Sequence, residues 1–500
     1  MTSKNTFIAM TKKITFILLF AGVVLTGVYA QTFDCYSSSD NNYWKKSVVK
    51  TEKKNVSTTI IQITGNEDGL EFKNWGTCFN ELGWDALNLL PRAQQETILS
   101  QLFSPDGDLR FSMGRIPMNA NDYARDWYSC DEVAGDFQLV HFNINRDKTT
   151  LIPFIKAAQK YNPGMTFWIS PWSPPSWLKV NQYYSVKSDK NMNQMSPKSD
   201  IVLFGGKEQN DNRYFPQQLT VNDYLIQDSR YLTTYANYFC RFISAYKNEG
   251  IPVTKVFFQN EPYSYTIYPG CAWTAEGMIR FNVEYLAPAL KKQHPGVDAY
   301  LGTINSNRIE DVDKVLADPR MSEAIKGVGF QWEGGQILPA IRKKYPQYKY
   351  VQTESECGWG SFDWKAAEHT FGLINHYLAN GVEEYTFWNA ILADEGVSGW
   401  GWKQNALIRV DSKSKSVIYT PEYFAVKHYT HFVSSGSKLL TSKESGTDKI
   451  PMLVFVTPQK KYVLMIANFN DTEKSVSLQV NSQYLNVKMQ PHALYTLAMK

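Results

Sequence analysis

The 500 residues contain no CxxC pair, no HExxH and no His/Cys cluster at ligand spacing. That leaves no basis for a structural or hydrolytic zinc site, and no metal is expected. No glycine-rich loop follows an apolar strand as a phosphate cradle would, which counts against an open doubly wound sheet. Charge of one sign is also scarce: the formal net charge is +4 with 20% charged residues, and no long basic run occurs. Nucleic acid is therefore not an expected partner. Past the first thirty residues no apolar run reaches membrane length, so no transmembrane segment is expected in a processed chain.

Aromatic residues, by contrast, are plentiful, at 14% with 14 Trp and 30 Tyr. A large core uses many of them. A sugar-binding cleft uses them too, because the apolar face of a pyranose stacks on a ring. The start of the chain reads as an export signal: MTKK at 10–13 is basic, and ITFILLFAGVVLTGV at 14–28 is apolar but short for a span. Cleavage is expected near Ala30, which leaves 500 − 30 = 470 residues and an exported protein (periplasmic, cell-surface or secreted). Six cysteines in such a compartment permit disulfides, and Cys130 with Cys271, both in loop-like segments, are the expected pair.

From 75 to 435 short apolar strands alternate with amphipathic stretches. The strands are WGTCFN (75–80), LRFSMGRIP (109–117), MTFWISPW (165–172), TKVFFQNEP (254–262), DAYLGTIN (298–305), GVGFQWE (327–333), YKYVQTE (348–354) and EEYTFWNA (383–390). Helices are expected over 90–103, 231–250, 275–293 and 365–381 among others. Eight strand–helix units predict an α/β fold, a (β/α)8 TIM barrel, rather than an open doubly wound sheet. Residues 31–74 and 436–500 instead alternate polar and apolar, which predicts an accessory antiparallel β-sandwich built from both ends. A long polar insert at 180–230, after the third strand, is expected to shape a cleft on the catalytic face.

In a barrel the strand C-termini converge on one mouth. Here they carry Arg115, Trp172, Asn260-Glu261, Gln331-Trp332-Glu333, Glu354 with Glu356 nearby, and Trp388-Asn389. Glu261 and Glu354 are the candidate catalytic pair, with Glu356 as the runner-up for the second. Two carboxyls across one mouth suit glycoside hydrolysis, where one is protonated for the leaving oxygen and the other ionised for attack. Arg115 would keep the second ionised, and Asn260 would hold a 2-hydroxyl. Trp172, Trp388, Asn389, Glu333 and Tyr263 are candidate substrate contacts. Tyr265, Tyr268 and Trp273 are candidates for the leaving-group side.

Asn260-Glu261-Pro262 after the fourth strand, with a glutamate ending the seventh, resembles the retaining (β/α)8 glycosidases. More specifically, SPWSPPSWLK (170–179), GRIPMNANDYA (114–124), GFQWE (329–333) and YTFWNAILADEG (385–396) resemble glycoside hydrolase family 30, in order. GTCFNELGW and QTESECGWG are most similar to its β-1,6-glucanase branch. The resemblance implies a cofactor-free retaining β-glycosidase acting on β-glucan polysaccharide or oligosaccharide. Within it, Glu261 matches the acid/base, Glu354 the nucleophile, and Arg115, Trp172, Asn260 and Trp388 glycone positions. A glucosylceramidase, β-glucosidase or β-xylosidase activity is the alternative the same family implies. The carboxylate expected of the first-strand motif is offered by Glu81 or Asp85.

Overall fold

The computed structural model describes residues 30–64, 69–198, 200, 223–445, 450–480 and 482–500. The leader-like segment, up to residue 29, and 201–222 of the long insert lie outside the described residues.

Eight parallel strands close into a barrel: Asn74–Cys78, Met113–Met118, Thr166–Pro171, Val253–Phe257, Asp298–Ile304, Gly327–Gln331, Lys349–Glu354 and Glu384–Asn389. Five lie wholly within a segment expected from the apolar runs, and the other three (Asn74–Cys78, Met113–Met118 and Val253–Phe257) overrun theirs by one residue. Their near-continuous burial is what a sheet covered on both faces requires. One interior layer is apolar and aromatic: Met113, Trp168, Phe257, Tyr300 and Val351 pack together below the mouth. Two positions further along the second strand, on the same face, stands Arg115. The barrel thus changes from apolar filling to charged chemistry over one strand repeat.

The expected helix over 275–293 is interrupted. It runs as α-helix over Ala275–Arg280, widens to i→i+5 bonding over Phe281–Leu286, and resumes over Ala287–Gln293. Pro288 supplies the reason. Its ring clashes with the carbonyl four residues back and it has no N–H to donate, and a widened turn accommodates both. A small three-stranded sheet, Ile391–Ala393, Ile408–Val410 and Val417–Tyr419, follows the eighth strand and was not legible as such.

Both chain ends build sheets beside the barrel that are antiparallel except where Ile60–Ile63 runs parallel to Lys474–Val480. In one sheet Thr32–Ser39 lies between Asn42–Lys50 and Ala493–Met499, the latter pairing on to Tyr462–Asn468 and Met452–Val456. The other places Ile60–Ile63 between Ser442–Ser445 and Lys474–Val480. Alternate residues such as Phe33, Ile61, Leu464, Leu478, Val487 and Leu497 form their shared core, as period-2 patterning demands. All six cysteines are buried free thiols. The expected Cys130–Cys271 pair is not formed: the Cys130 segment is held by Tyr238, whose hydroxyl accepts its backbone N–H at 2.8 Å, while Cys271 lies beside Lys179.

Candidate active site

The mouth of the barrel holds a cavity of about 330 Å³. Its lining is Asp122, Trp172, Asn260, Glu261, Tyr268, Asn305, Trp332, Glu333, Glu354, Glu356, Trp359, Trp402 and Gln404. Five carboxyls and five aromatic rings therefore face one small space.

Arg115 organises the floor. It is fully buried, and its Nη1 donates to Glu354 Oε2 at 2.5 Å and to the Thr353 carbonyl at 3.2 Å. Nη2 donates to Asn260 Oδ1 at 2.7 Å, and Nε to Ser170 Oγ at 3.1 Å. The guanidinium lies 4.3 Å from the ring centre of Trp172 and 5.2 Å from that of Trp388. These two indoles stack at 5.4 Å and 26°. A planar, weakly hydrated cation suits this sandwich of rings and carboxylate where an ammonium would not.

Backbone irregularities aim the carboxyls. The pairing of the sixth and seventh strands slips between Gln352 and Glu354, so Thr353 and Glu354 both serve the mouth. Thr353 Oγ1 donates to Gln331 Oε1 at 3.1 Å while Glu354 turns to Arg115. Glu261 and Trp332 adopt φ of 49° and 46°, a region that costs a side-chain-bearing residue energy. In return the Trp332 indole donates to Glu354 Oε1 at 2.7 Å. Glu261 accepts from Gln331 Nε2 at 3.1 Å and from the Tyr268 hydroxyl at 3.0 Å.

The electrostatics separate the pair. Burial first, and the Glu354 charge second, push Glu261 up to about 7, against the hydrogen bonds from Tyr268, Ser264 and Gln331. Burial also raises Glu354, but there Arg115 and the Trp332 N–H favour the ionised form. With one proton to share, Glu261, which has no cation beside it, holds it. The result is a proton donor and a carboxylate facing one space.

Glu356 lines the cavity but is half-buried and pairs with His369 Nε2 at 2.7 Å. Geometry thus separates it from Glu354. Glu333 also reaches the cavity, where its Oε2 accepts from Asn307 at 3.0 Å and Gln336 at 2.6 Å. Trp388 backs the wall, and its Nε1 donates to Gln404 Oε1 at 2.9 Å. Asn389, expected as a contact, is instead behind the lining: it is fully buried between Asn80 and Gln404. Tyr263 is likewise displaced from its expected role. It is buried, and its hydroxyl donates to the Asp311 carbonyl at 2.6 Å. Tyr265 and Trp273 also pack the loop, so of the aromatics after Glu261 only Tyr268 lines the cavity.

The first-strand carboxylates are elsewhere. Glu81 is buried against Arg146 at 2.7 Å, and Asp85 pairs with Arg125 at 2.5 Å. Asp122, four residues past the second strand in GRIPMNANDYA, fills the cavity position instead. Its Oδ1 is buried without a hydrogen-bond partner, and burial, Glu354 and Glu261 push its carboxyl well above the usual range. A carboxylate directly after a barrel strand was the signal that would have found it. Asn305, which ends the expected fifth strand, carried the same strand-end signal, whereas Trp359, Trp402 and Gln404 join from loops and carried none. Among the described residues no group of His, Cys, Asp or Glu has the arrangement of a metal site.

This geometry can be set beside known proteins. The model for the glycosyl hydrolase family 30 TIM-barrel domain matches residues 72–195 and 224–433. The chain is 25% identical over 456 residues to putative glucosylceramidase 1 of Caenorhabditis elegans, covering 86% of this chain and 81% of that protein. It is 23% identical over 459 residues to an endo-1,6-beta-D-glucanase of Neurospora crassa, covering 86% and 85%. The solved structure of the endo-beta1,6-glucanase BT3312 shares the fold, with a TM-score of 0.74 at 19% identity, over 93% of this chain and 99% of that one. With its barrel matched nearly end to end and a pair of buried glutamates at the mouth, the chain belongs to glycosyl hydrolase family 30 and is a glycosidase.

Proposed function

We propose that this glycosidase cleaves β-1,6-linked glucan by a retaining double displacement. Glu261 gives its proton to the glycosidic oxygen as Glu354 attacks the anomeric carbon. Glu261, now ionised, then takes a proton from water, and that water displaces Glu354 from the glycosyl-enzyme. Asn260 Oδ1 is taken up by Arg115, Thr303 and Gln331, at 2.7, 2.9 and 3.3 Å, which leaves its NH2 to donate to a 2-hydroxyl. The unpartnered Asp122 oxygen suits a further sugar hydroxyl.

The observation that carries the substrate reading is the lining outside the buried pair. Trp332, Trp359, Tyr268 and Trp402 share it with Glu333, Glu356, Asn305 and Gln404. Aromatic rings together with hydrogen-bonding groups suit a second sugar as leaving group. A ceramide carries two hydrocarbon chains and calls for an apolar wall. The chain is about as similar to the Neurospora crassa endo-1,6-beta-D-glucanase as to the Caenorhabditis elegans putative glucosylceramidase, so the choice between them rests on the lining. An extracellular or periplasmic location, proposed on the basic and apolar leader at 10–28, fits a substrate too large to enter a cell.

The test is hydrolysis of pustulan, a linear β-1,6-glucan, against glucosylceramide and an aryl β-glucoside, with the first product anomer read by NMR. Oligosaccharides released from pustulan as the β-anomer are expected. Cleavage of glucosylceramide with pustulan untouched would overturn the substrate, and an α-anomer first would overturn the mechanism.

A further inference from the structure

Lys179, the last residue of SPWSPPSWLK, is a buried cation that the chemistry above leaves unused. It is fully buried. Its Nζ donates to the Gly270 carbonyl at 2.6 Å, the Tyr184 carbonyl at 2.9 Å, and the Ser185 carbonyl and Ser173 Oγ at 3.2 Å. Among the described residues no carboxylate pairs with it. Burial lowers it to about 7, and the charged or titratable groups facing it are Cys271, Glu132 and Tyr224, whose ring centre lies 5.6 Å from Nζ. An ammonium taken from water normally needs an anion. Here converging carbonyl dipoles substitute, and they come from separate loops.

Those loops matter. Ser173 follows the third strand, Tyr184 and Ser185 belong to the insert, and Gly270 lies two residues past Tyr268. The insert and the 266–270 segment also pair by backbone. Gly270 N–H donates to the Tyr184 carbonyl at 3.0 Å, and the Val186 and Lys187 N–H groups to the Thr266 carbonyl at 3.1 and 2.8 Å. Asn193 adds a tie, from its Nδ2 to the Ile267 carbonyl at 3.2 Å. None of the described insert residues lines the cavity. The described part of the insert therefore acts one layer back, as a splint on the segment that carries Tyr268.

We infer that Lys179 is a positioning residue for Glu261: its ammonium gathers loop carbonyls and so fixes the segment from which Tyr268 donates to the Glu261 carboxyl. The inference rests on Glu261 being the proton donor. Without the cation the gathered carbonyls repel, Gly270 loses the Nζ bond, and Tyr268 no longer holds its 3.0 Å contact.

The experiment compares Lys179→Met with the parent enzyme, using kcat/KM on an alkyl or disaccharide substrate and on a dinitrophenyl glycoside. A dinitrophenolate leaves without a proton, so only the poor leaving group needs Glu261. A loss of about 10-fold or more on the poor leaving group alone is expected. The alkaline limb of kcat/KM should also move up in pH, as in Tyr268→Phe, because the Tyr268 bond lowers the Glu261 pKa. Equal losses on both substrates with an unmoved limb mean a merely structural lysine and overturn the inference. Should Lys179→Met fail to fold, Asn193→Ala decides: the same leaving-group pattern, weaker, supports the splint, and parent behaviour refutes it. Glu261→Gln runs alongside. A leaving-group effect there but not in Lys179→Met leaves the acid standing and removes the lysine; none in either removes the acid.

Discussion

Glu261→Gln should stabilise the protein, and the gain should depend on pH. The carboxyl titrates at 4.5 when exposed and at about 7 in the fold, raised first by burial and then by Glu354. Below about pH 4.5 it is protonated in both states and costs nothing. As pH rises towards 7 the unfolded chain ionises freely while the folded one resists, so stability falls through that window. Above about 7 the penalty is complete: a displacement from 4.5 to about 7, at about 1.4 kcal/mol per pH unit, comes to about 3–4 kcal/mol. Glutamine keeps the shape and cannot ionise, so it removes the penalty and also one charge from beside Glu354. Urea unfolding at about pH 8 should show a gain of about 3–4 kcal/mol, which vanishes at about pH 4. Activity on a poor leaving group should meanwhile fall by about 10²- to 10⁴-fold. A gain independent of pH, or none at pH 8, would refute the claim that burial and Glu354 hold a proton on Glu261.

Four other perturbations follow from the same geometry. Glu354→Ala should lose about 10³-fold or more in kcat and recover with azide as a glycosyl azide forms. Glu356→Ala, which breaks only a partly exposed pair with His369, should stay within about 10-fold and show no azide rescue. Arg115→Met should destabilise the fold by about 3–5 kcal/mol in chemical denaturation near neutral pH, because Glu354 is then buried without its cation. Asp122→Ala should lower kcat/KM on glucosides by about 10- to 100-fold, the loss of a hydrogen bond to a sugar hydroxyl. A substrate lacking the contacted hydroxyl should show no further loss, and one that does would reassign Asp122.

The barrel was legible because its strands are covered on both faces and are therefore continuously apolar, with chemistry set abruptly at their ends. Val256-Phe257-Phe258 running into Asn260-Glu261 is the clearest case, and strand seven ending on Glu354 is its partner. Loop contributions were less legible. Trp359, Trp402 and Gln404 reach the cavity from segments whose spacing obeys no period. Tyr263 and Trp273 look from the sequence like Tyr268, yet only the loop's path decides which ring faces the cavity.

The sequence by itself determined the architecture and the barrel edge that carries the paired carboxyls, because hydrophobic period and strand-end position are local properties of the chain. Which carboxylate does what was decided by tertiary structure. Glu354 and Glu356 are two residues apart, and only a register slip and Arg115, more than two hundred residues earlier, tell them apart. Asp122 replaced Glu81 and Asp85 for the same reason: arginines 146 and 125 had already taken those two. Charge state belongs to the assembled environment, since burial and neighbouring charge set it, and neither exists until distant segments meet.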